Sequence, residues 1–331
     1  MSTVLVTGSA GLIGSHIVKE LLNFGHKVIS IDNLSGGLPE NLVEHCNHQF
    51  LYMDLLDLHL GEVFKSFKPE IVVSCAAVAT EGASHFRKRF IYQNNVEINL
   101  NLINCSVNFD VKKYIFLSSM AVYGGYQKPP FDEMLDPRPE DTYGNAKLVV
   151  ERELKITHDF FKQLEYVIIR PHNFASIGQN IFDRYRNVLG IWVRQGLQRQ
   201  PISVFGDGLQ RRAFSYTPDG ARAMVNAIFS DKCNYEIINV GGMKPYTILE
   251  AAEIVHKHFP DSPIEHLQTR YEVRDAWCSY EKSQRLLDYK DTVTLEDNIA
   301  EMVEWAKTLK IREVQSWDNY EIDKNLYDFW K

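Results

Sequence analysis

The stretch Val4-Leu5-Val6-Thr7-Gly8-Ser9-Ala10-Gly11-Leu12-Ile13-Gly14-Ser15-His16-Ile17 decides the fold. Its Val-rich start predicts a buried strand, which runs into a turn with glycines at the spacing GxxGxxG: Gly8, Gly11 and Gly14. Beyond them the apolar pattern becomes helical. Small residues at these three places permit a tight turn and let the backbone approach a pyrophosphate. They also aim the free N–H groups of the helix N-terminus at that anion. A second strand ends in Ile31-Asp32, 18 residues past Gly14. A carboxylate there accepts hydrogen bonds from both hydroxyls of an adenosine ribose and repels a 2′-phosphate. The residues that follow, Asn33-Leu34-Ser35-Gly36-Gly37, include no Arg to hold such a phosphate. The unit therefore predicts a dinucleotide site that takes NAD in preference to NADP.

Outward from this unit, apolar runs at 4–7, 27–31, 49–53, 71–75, 114–118 and 167–170 alternate with helical patterns at 12–23, 58–67, 94–108 and 146–161. That rhythm predicts an α/β protein with a Rossmann-type, doubly wound parallel sheet. After Arg170-Pro171 the rhythm loosens. Helices are expected over 184–199, 219–229, 248–258 and 295–309, and a strand-like 235–240 ending in Gly241-Gly242 returns to the sheet. Residues 1–171, with a return near 213–242, are thus assigned to the dinucleotide-binding domain. Residues 172–212 and 243–331 are assigned to a smaller, discontinuous α/β substrate lobe.

The 331 residues include 36 Lys and Arg against 43 Asp and Glu, a net charge of −7. An acidic chain of this kind is no general binder of nucleic acid. A content of 45% hydrophobic and 24% charged residues excludes wholesale disorder. No apolar run approaches the roughly 18 residues that span a bilayer, so no membrane partner is expected. Met1-Ser2-Thr3 offers no basic region ahead of its apolar run, as a secretory signal would. The five cysteines, Cys46, Cys75, Cys105, Cys233 and Cys278, are scattered and form no CxxC. Neither a metal site nor a disulfide framework is expected, and a reduced cytoplasmic setting is.

Two further strand ends bear on the dinucleotide. Asp54-Leu55 brings a carboxylate to where an adenine amino group would lie, and Cys75-Ala76-Ala77 offers the small residues that a backbone lying against a cofactor needs. The strand at 114–118 runs into Ser118-Ser119-Met120-Ala121-Val122-Tyr123-Gly124, and 24 residues after Ser119 comes Tyr143-Gly144-Asn145-Ala146-Lys147. On a helix the i, i+4 spacing puts Tyr143 and Lys147 on one face. An ammonium beside a phenol favours the phenolate, so Tyr143 is expected to be acidified. It would then remove a hydroxyl proton while hydride leaves the same carbon, with Ser119 hydrogen-bonded to that oxygen.

Together, Gly8/Gly11/Gly14, Asp32, Ser118-Ser119 with Val122-Tyr123-Gly124, and Tyr143 with Lys147 resemble the extended short-chain dehydrogenase/reductase family. The likeness is to its NAD-dependent nucleotide-sugar epimerase/dehydratase branch, UDP-glucose 4-epimerase-like, and it runs nearly end to end. It implies Ser119, Tyr143 and Lys147 as catalytic residues. It implies a cofactor set of Gly8, Gly11, Leu12, Ile13, Gly14, Asp32, Asn33, Asp54, Leu55, Ala76, Ala77, Asn95, Ser118, Tyr143, Lys147 and Arg170. Arg170-Pro171-His172-Asn173 is similar to the family's RPxN segment, which puts Asn173 on the substrate pyrophosphate. Gly206-Asp207-Gly208-Leu209-Gln210-Arg211-Arg212 is similar to its GDGxQxR segment, which puts Arg212 on the phosphates. Glu272-Val273-Arg274-Asp275-Ala276 resembles a segment that reads Arg-x-Gly-Asp/Glu-Val in the family. Arg270 stands one residue too close to Glu272, so Arg270 and Arg274 are both candidates for the second phosphate arginine. Ser119 and Met120 complete the implied substrate set.

By the same resemblance, dehydratases carry Asp-Glu between the catalytic Ser/Thr and Val-Tyr. Met120-Ala121 neither donates nor accepts a proton there. This favours 4-epimerisation of a UDP-hexose or UDP-N-acetylhexosamine through a transient 4-keto sugar, since that needs only Tyr143 and NAD. A dehydratase or reductase of the same family is the alternative; a catalytically silent NAD-binding scaffold is the alternative from another class. Ala276 would leave room at the sugar's C2, or is plain packing. Glu81 and His85, in a loop that departs from the family, are either extra acid–base groups or part of a solvated loop, and His172 touches sugar or packs. The helical runs 94–108 and 146–161 resemble the family's dimer surface, with Ile98, Leu102 and Val149 facing a partner or the sheet. The aromatic tail, Trp317-Asp318-Asn319-Tyr320 through Tyr327-Asp328-Phe329-Trp330, is expected to pack on its own substrate lobe.

Overall fold

The computed structural model describes residues 1–314 and 320–330, so Trp317-Asp318-Asn319 of the tail lies outside the described residues. Strand β1 (Thr3–Thr7) leads into helix α1 (Leu12–Asn23), then β2 (Lys27–Asp32) and β3 (His48–Tyr52). Next come α2 (Leu60–Phe67), β4 (Ile71–Ser74), two short helices α3 (Glu81–Ser84) and α4 (Lys88–Tyr92), and α5 (Ile98–Asn108). The sheet half closes with β5 (Lys113–Leu117), α6 (Thr142–Phe161) and β6 (Glu165–His172). After β7 (Phe174–Ala175), α7 (Val188–Leu197) and β8 (Ile202–Phe205) come β9 (Arg211–Ala213), β10 (Ser215–Tyr216), α8 (Thr217–Phe229) and β11 (Ile237–Gly241). The chain then forms β12 (Pro245–Thr247), α9 (Ile248–His258), β13 (Ile264–Leu267), β14 (Asp275–Ala276), α10 (Glu281–Leu287) and α11 (Leu295–Lys307).

Seven strands make one sheet in the order β11-β6-β5-β4-β1-β2-β3, and every pairing within it is parallel. This is the doubly wound α/β fold, and the late strand β11 does join its edge. Alternation along the strands divides the core. Val4, Val6, Val73, Ile115, Leu117, Val167 and Ile169 pack against α1 and α8, while Leu5, Ile31, Val72, Phe116 and Ile168 pack against α2, α5 and α6. With both faces covered, near-continuous Val and Ile is the pattern such strands require, and each fully buried aliphatic side chain contributes about 1.5–3 kcal/mol. A second core lies away from the sheet, where Trp192, Val193, Ile202, Val204, Val255, Ile299 and Met302 join α7, α9, α11 and β8.

Boundaries moved where caps and turns decide them. Helix α6 starts at Thr142, earlier than the 146 expected, because the Asp141 side chain accepts from Gly144 N at 2.8 Å. Helix α5 starts at Ile98, later than 94, because a π-turn over Gln93–Glu97 precedes it. Ile98 and Leu102 are buried in the core on the sheet side, the second of the two placements open to them. Among the described residues no helix is long and apolar enough to cross a membrane.

Candidate active site

One cavity of about 480 Å³ runs along the C-terminal ends of β1, β2, β4 and β5, the edge where ligands bind to open parallel sheets. At one end the glycine turn forms its floor. Gly8 has φ +67°, and a Cβ there would lie 2.6 Å from Ala76 N. A Cβ on Gly14 would overlap the Gly8 carbonyl oxygen. These two positions hold α1 tightly against the strands. Helix α1 has no side-chain cap, so its first N–H groups are left for an anion. Gly8, Gly11, Leu12, Ile13, Gly14, Asp32, Asn33, Leu55, Ala76 and Ala77 all line the cavity. The Asp32 carboxylate accepts from Ala10 N at 2.9 Å and Leu34 N at 2.7 Å. Burial raises its pKa, and those two N–H groups partly offset the rise. A pyrophosphate-sized cradle with a carboxylate at the next strand end fits NAD.

Asp54 also lines the cavity, and its oxygens accept from Asn33 Nδ2 at 2.8 Å and Leu56 N at 2.9 Å. Those two bonds fix the loop and leave each carboxylate oxygen able to accept another. Asn95 lies off the cavity: it is buried and donates to Val78 O at 3.2 Å and Ile91 O at 2.9 Å. Arg170 is likewise behind the wall. It makes a buried bidentate pair with Glu151 at 2.9 and 2.7 Å, and Glu151 also accepts from Ser118 Oγ. Both Asn95 and Arg170 are therefore supports for the lining rather than part of it. Removing one partner of a buried pair like Arg170–Glu151 costs about 3–5 kcal/mol, so its value here is positional.

At the centre, Ser119, Tyr143 and Lys147 come together from the end of β5 and the first turns of α6. Lys147 Nζ donates to Leu117 O at 2.7 Å and lies 5.9 Å from the Tyr143 ring centroid. Burial pushes its pKa down to about 7. Burial also holds the Tyr143 phenol above its ordinary range; the Ser119 hydroxyl bonds to it and lowers it, and the Glu81 and Asp141 carboxylates raise it further. The expected acidification is thus reversed by the protein's own groups.

The far end is assembled from distant segments. Arg212 and Arg270 both line the cavity and both reach Glu272, at 3.7 and 3.1 Å. Arg212 is braced further by the backbone oxygens of Arg211, Val273 and Arg274. Asn173, at φ +38°, lines the same wall and donates to Ala213 O at 3.4 Å. Between the two arginine candidates the geometry is decisive: Arg270 faces the cavity, whereas Arg274 is exposed, lies outside the lining and pairs with Asp207 at 3.3 Å. Met120 also turns away, into an apolar cluster with Tyr123, Phe131, Leu148 and Ala276. His172 is buried off the cavity, its pKa pushed down to about 3 chiefly by burial.

Glu81 faces the cavity at the start of α3, open to its interior and surrounded by protein. Burial raises its pKa, while Arg212 and Arg270 draw it down. His85, Tyr271 and Trp330 also line this end. Read from the sequence, Glu81 is either an extra acid–base group or part of a solvated loop, and the structure brings it to the cavity. Nothing local pointed to Trp330. Among the described residues no group of His, Cys, Asp and Glu could hold a metal ion.

Comparison with known proteins gives this geometry its context. The model of the NAD dependent epimerase/dehydratase family matches residues 4–241. The chain is 31% identical over 308 residues to a putative UDP-glucose 4-epimerase of Methanocaldococcus jannaschii, covering 92% of this chain and 98% of that protein. It is similar in structure to the UDP-N-acetylglucosamine 4-epimerase of Methanobrevibacter ruminantium, solved with UDP-N-acetylmuramic acid, at TM-score 0.84 and 32% identity over 92% of this chain and 98% of the other. It is also similar to the UDP-glucuronic acid 4-epimerase of Bacillus cereus, solved with UDP-glucuronic acid and NAD, at TM-score 0.84 and 28% identity over 92% and 99%.

Proposed function

Because the chain belongs to the NAD dependent epimerase/dehydratase family, we propose that it is a UDP-sugar 4-epimerase that works through a transient 4-keto sugar and keeps its NAD. The carrying observation is that Ser119 and Tyr143 stand in one cavity, between the glycine cradle and the Arg212/Arg270 pair. When bound, NAD supplies a reversible hydride acceptor and a positive charge beside Tyr143. The remaining work falls to the chain. Arg212 and Arg270 hold the diphosphate by charge-assisted hydrogen bonds and Asn173 lies beside it. Ser119 Oγ hydrogen-bonds the sugar's C4 oxygen, and Tyr143 Oη takes that hydroxyl's proton and later returns one. Lys147, anchored by its hydrogen bond to the Leu117 carbonyl, positions its amino group beside the tyrosine. Asp32 favours NAD over a cofactor with a 2′-phosphate.

Glu81 favours a second reading. A carboxylate in the cavity near Tyr143 is the kind of extra group that loss of water requires, so dehydration is the alternative reaction. The products separate the two. Purified protein incubated with UDP-, GDP- and dTDP-sugars, with no added NAD or NADH, is expected to interconvert C4 epimers of a UDP-sugar without accumulating NADH. A stable keto product points to the dehydratase, and stoichiometric NADH release or no turnover overturns the epimerase. Exposed Ile156 and Phe160 on α6 support a homodimer built through that helix, and five free cysteines support a cytoplasmic setting.

A further inference from the structure

Residues 320–330 come back to the cavity and are tied down along their length. Glu321 N donates to Phe86 O at 2.8 Å, and the Glu321 carboxylate accepts from Arg89 N at 2.8 Å and Phe90 N at 2.9 Å. It thereby caps the first turn of α4, which has no cap of its own. The same segment also reaches the other side of the cleft. Tyr320 Oη meets Tyr185 Oη at 2.7 Å, Tyr327 Oη accepts from Tyr271 N at 2.9 Å, and the Phe329 ring lies 4.7 Å from that of Phe205. Arg184 donates to Phe329 O at 2.5 Å. Residues 86–90 follow the sheet strand β4, whereas residues 184–185, 205 and 271 belong to the opposite wall. The segment is a strap across the two.

Its last described residue is the one that matters to the site. Trp330 is only 6% exposed, set edge-on to Phe86 at 5.9 Å and Tyr185 at 5.8 Å. What exposure remains faces the cavity, beside Glu81, Gly82 and His85. A Cβ on Gly82 would come to 3.0 Å from Trp330 Cη2, a tight approach, so the indole lies directly against α3. The indole offers apolar surface next to a carboxylate, a combination that suits a hexopyranose with its apolar C–H groups and rim of hydroxyls.

We propose that residues 320–330 are part of the substrate site, with Trp330 forming the wall against which the sugar ring of the nucleotide sugar lies. This rests on the reading of the chain as a UDP-sugar enzyme. Calorimetry with the full-length, NAD-containing protein tests it, using UDP, UDP-glucose, UDP-N-acetylglucosamine and UDP-glucuronate as probes. Trp330→Ala is expected to weaken the UDP-sugar that wild type prefers by about tenfold while leaving UDP itself within about twofold. Bound NAD should stay at wild-type content, and KM should rise more than kcat falls. Trp330→Leu keeps an apolar plug against Phe86 and guards against a folding defect; it should show the same split. Unchanged UDP-sugar affinity in both variants overturns the inference, as does an equal loss for UDP and UDP-sugar. Wild type that binds a UDP-sugar without converting it contradicts the proposed reaction while the Trp330 comparison still decides the wall. Wild type that binds no UDP-sugar contradicts both.

Discussion

At the glycine-loop end of the cavity, residues 8–14 and 32–33 arrive in one βαβ unit, and the Asp32 carboxylate there is bonded to its own neighbours. At the far end, Glu81, Arg212, Arg270 and Trp330 come from four segments that lie far apart in the chain. The first region is rigid by local geometry: a glycine turn wedged between strand and helix. The second is held by pairings between segments far apart in the chain, Arg212 to Glu272 and Glu321 to the first turn of α4. Damage to the first should therefore remove the cofactor, and damage to the second should change substrate affinity and leave the cofactor in place.

The largest effect should come where the two regions meet. Tyr143→Phe removes the only hydroxyl that the account uses as acid and base, so turnover should fall by about 10²–10⁴ in kcat with NAD still bound. Retained activity would break the comparison at its centre. Next is Gly14→Val, whose side chain would collide with the Gly8 carbonyl. Overpacking of this kind costs about 1–3 kcal/mol, and the protein should purify with much less NAD and melt lower. At the other end, Arg270→Met should raise KM for the UDP-sugar by about tenfold, as loss of a charged hydrogen bond would, with NAD content unchanged. Arg274→Met, on an exposed pair with Asp207, should stay within about twofold of wild type. A larger loss from Arg274 than from Arg270 would reverse the assignment.

The smallest effect is one of pH. The folded chain holds the Lys147 proton only below about 7, and the unfolded chain holds it up to its ordinary 10.5. Between those values the unfolded state carries more protons, so this residue makes stability rise with pH. The wild-type melting temperature, followed from pH 7 to 9, should therefore show an upward contribution that Lys147→Met lacks. Identical pH slopes in the two proteins would place the lysine in a wetter setting than the geometry shows.

The same contrast explains what could be read in advance. Helices α1 and α9 fall on their expected residues, and a parallel sheet with crossover helices follows from the rhythm of apolar runs, because both signals are local. The glycine turn was legible for the same reason: its spacing, flanking strand and helix all lie within one unit. Which side of a wall a residue faces was not legible. Asn95 and Arg170 sit close to cavity-lining residues but point behind them, held by the Val78 carbonyl and by Glu151. Arg270 and Arg274 differ only in how an irregular loop turns them. Gly82 and Trp330 meet because the end of the chain folds back over α3. No window of sequence contains that contact.

The central claim is that Tyr143 moves a proton at the sugar's C4 while the hydrogen on that carbon leaves as hydride and returns to it. The most direct measurement is the fate of deuterium placed at C4 of the UDP-sugar that the protein converts, followed by NMR in ordinary water. The epimerised product is expected to keep its deuterium at C4. Exchange of that deuterium with solvent would contradict the claim.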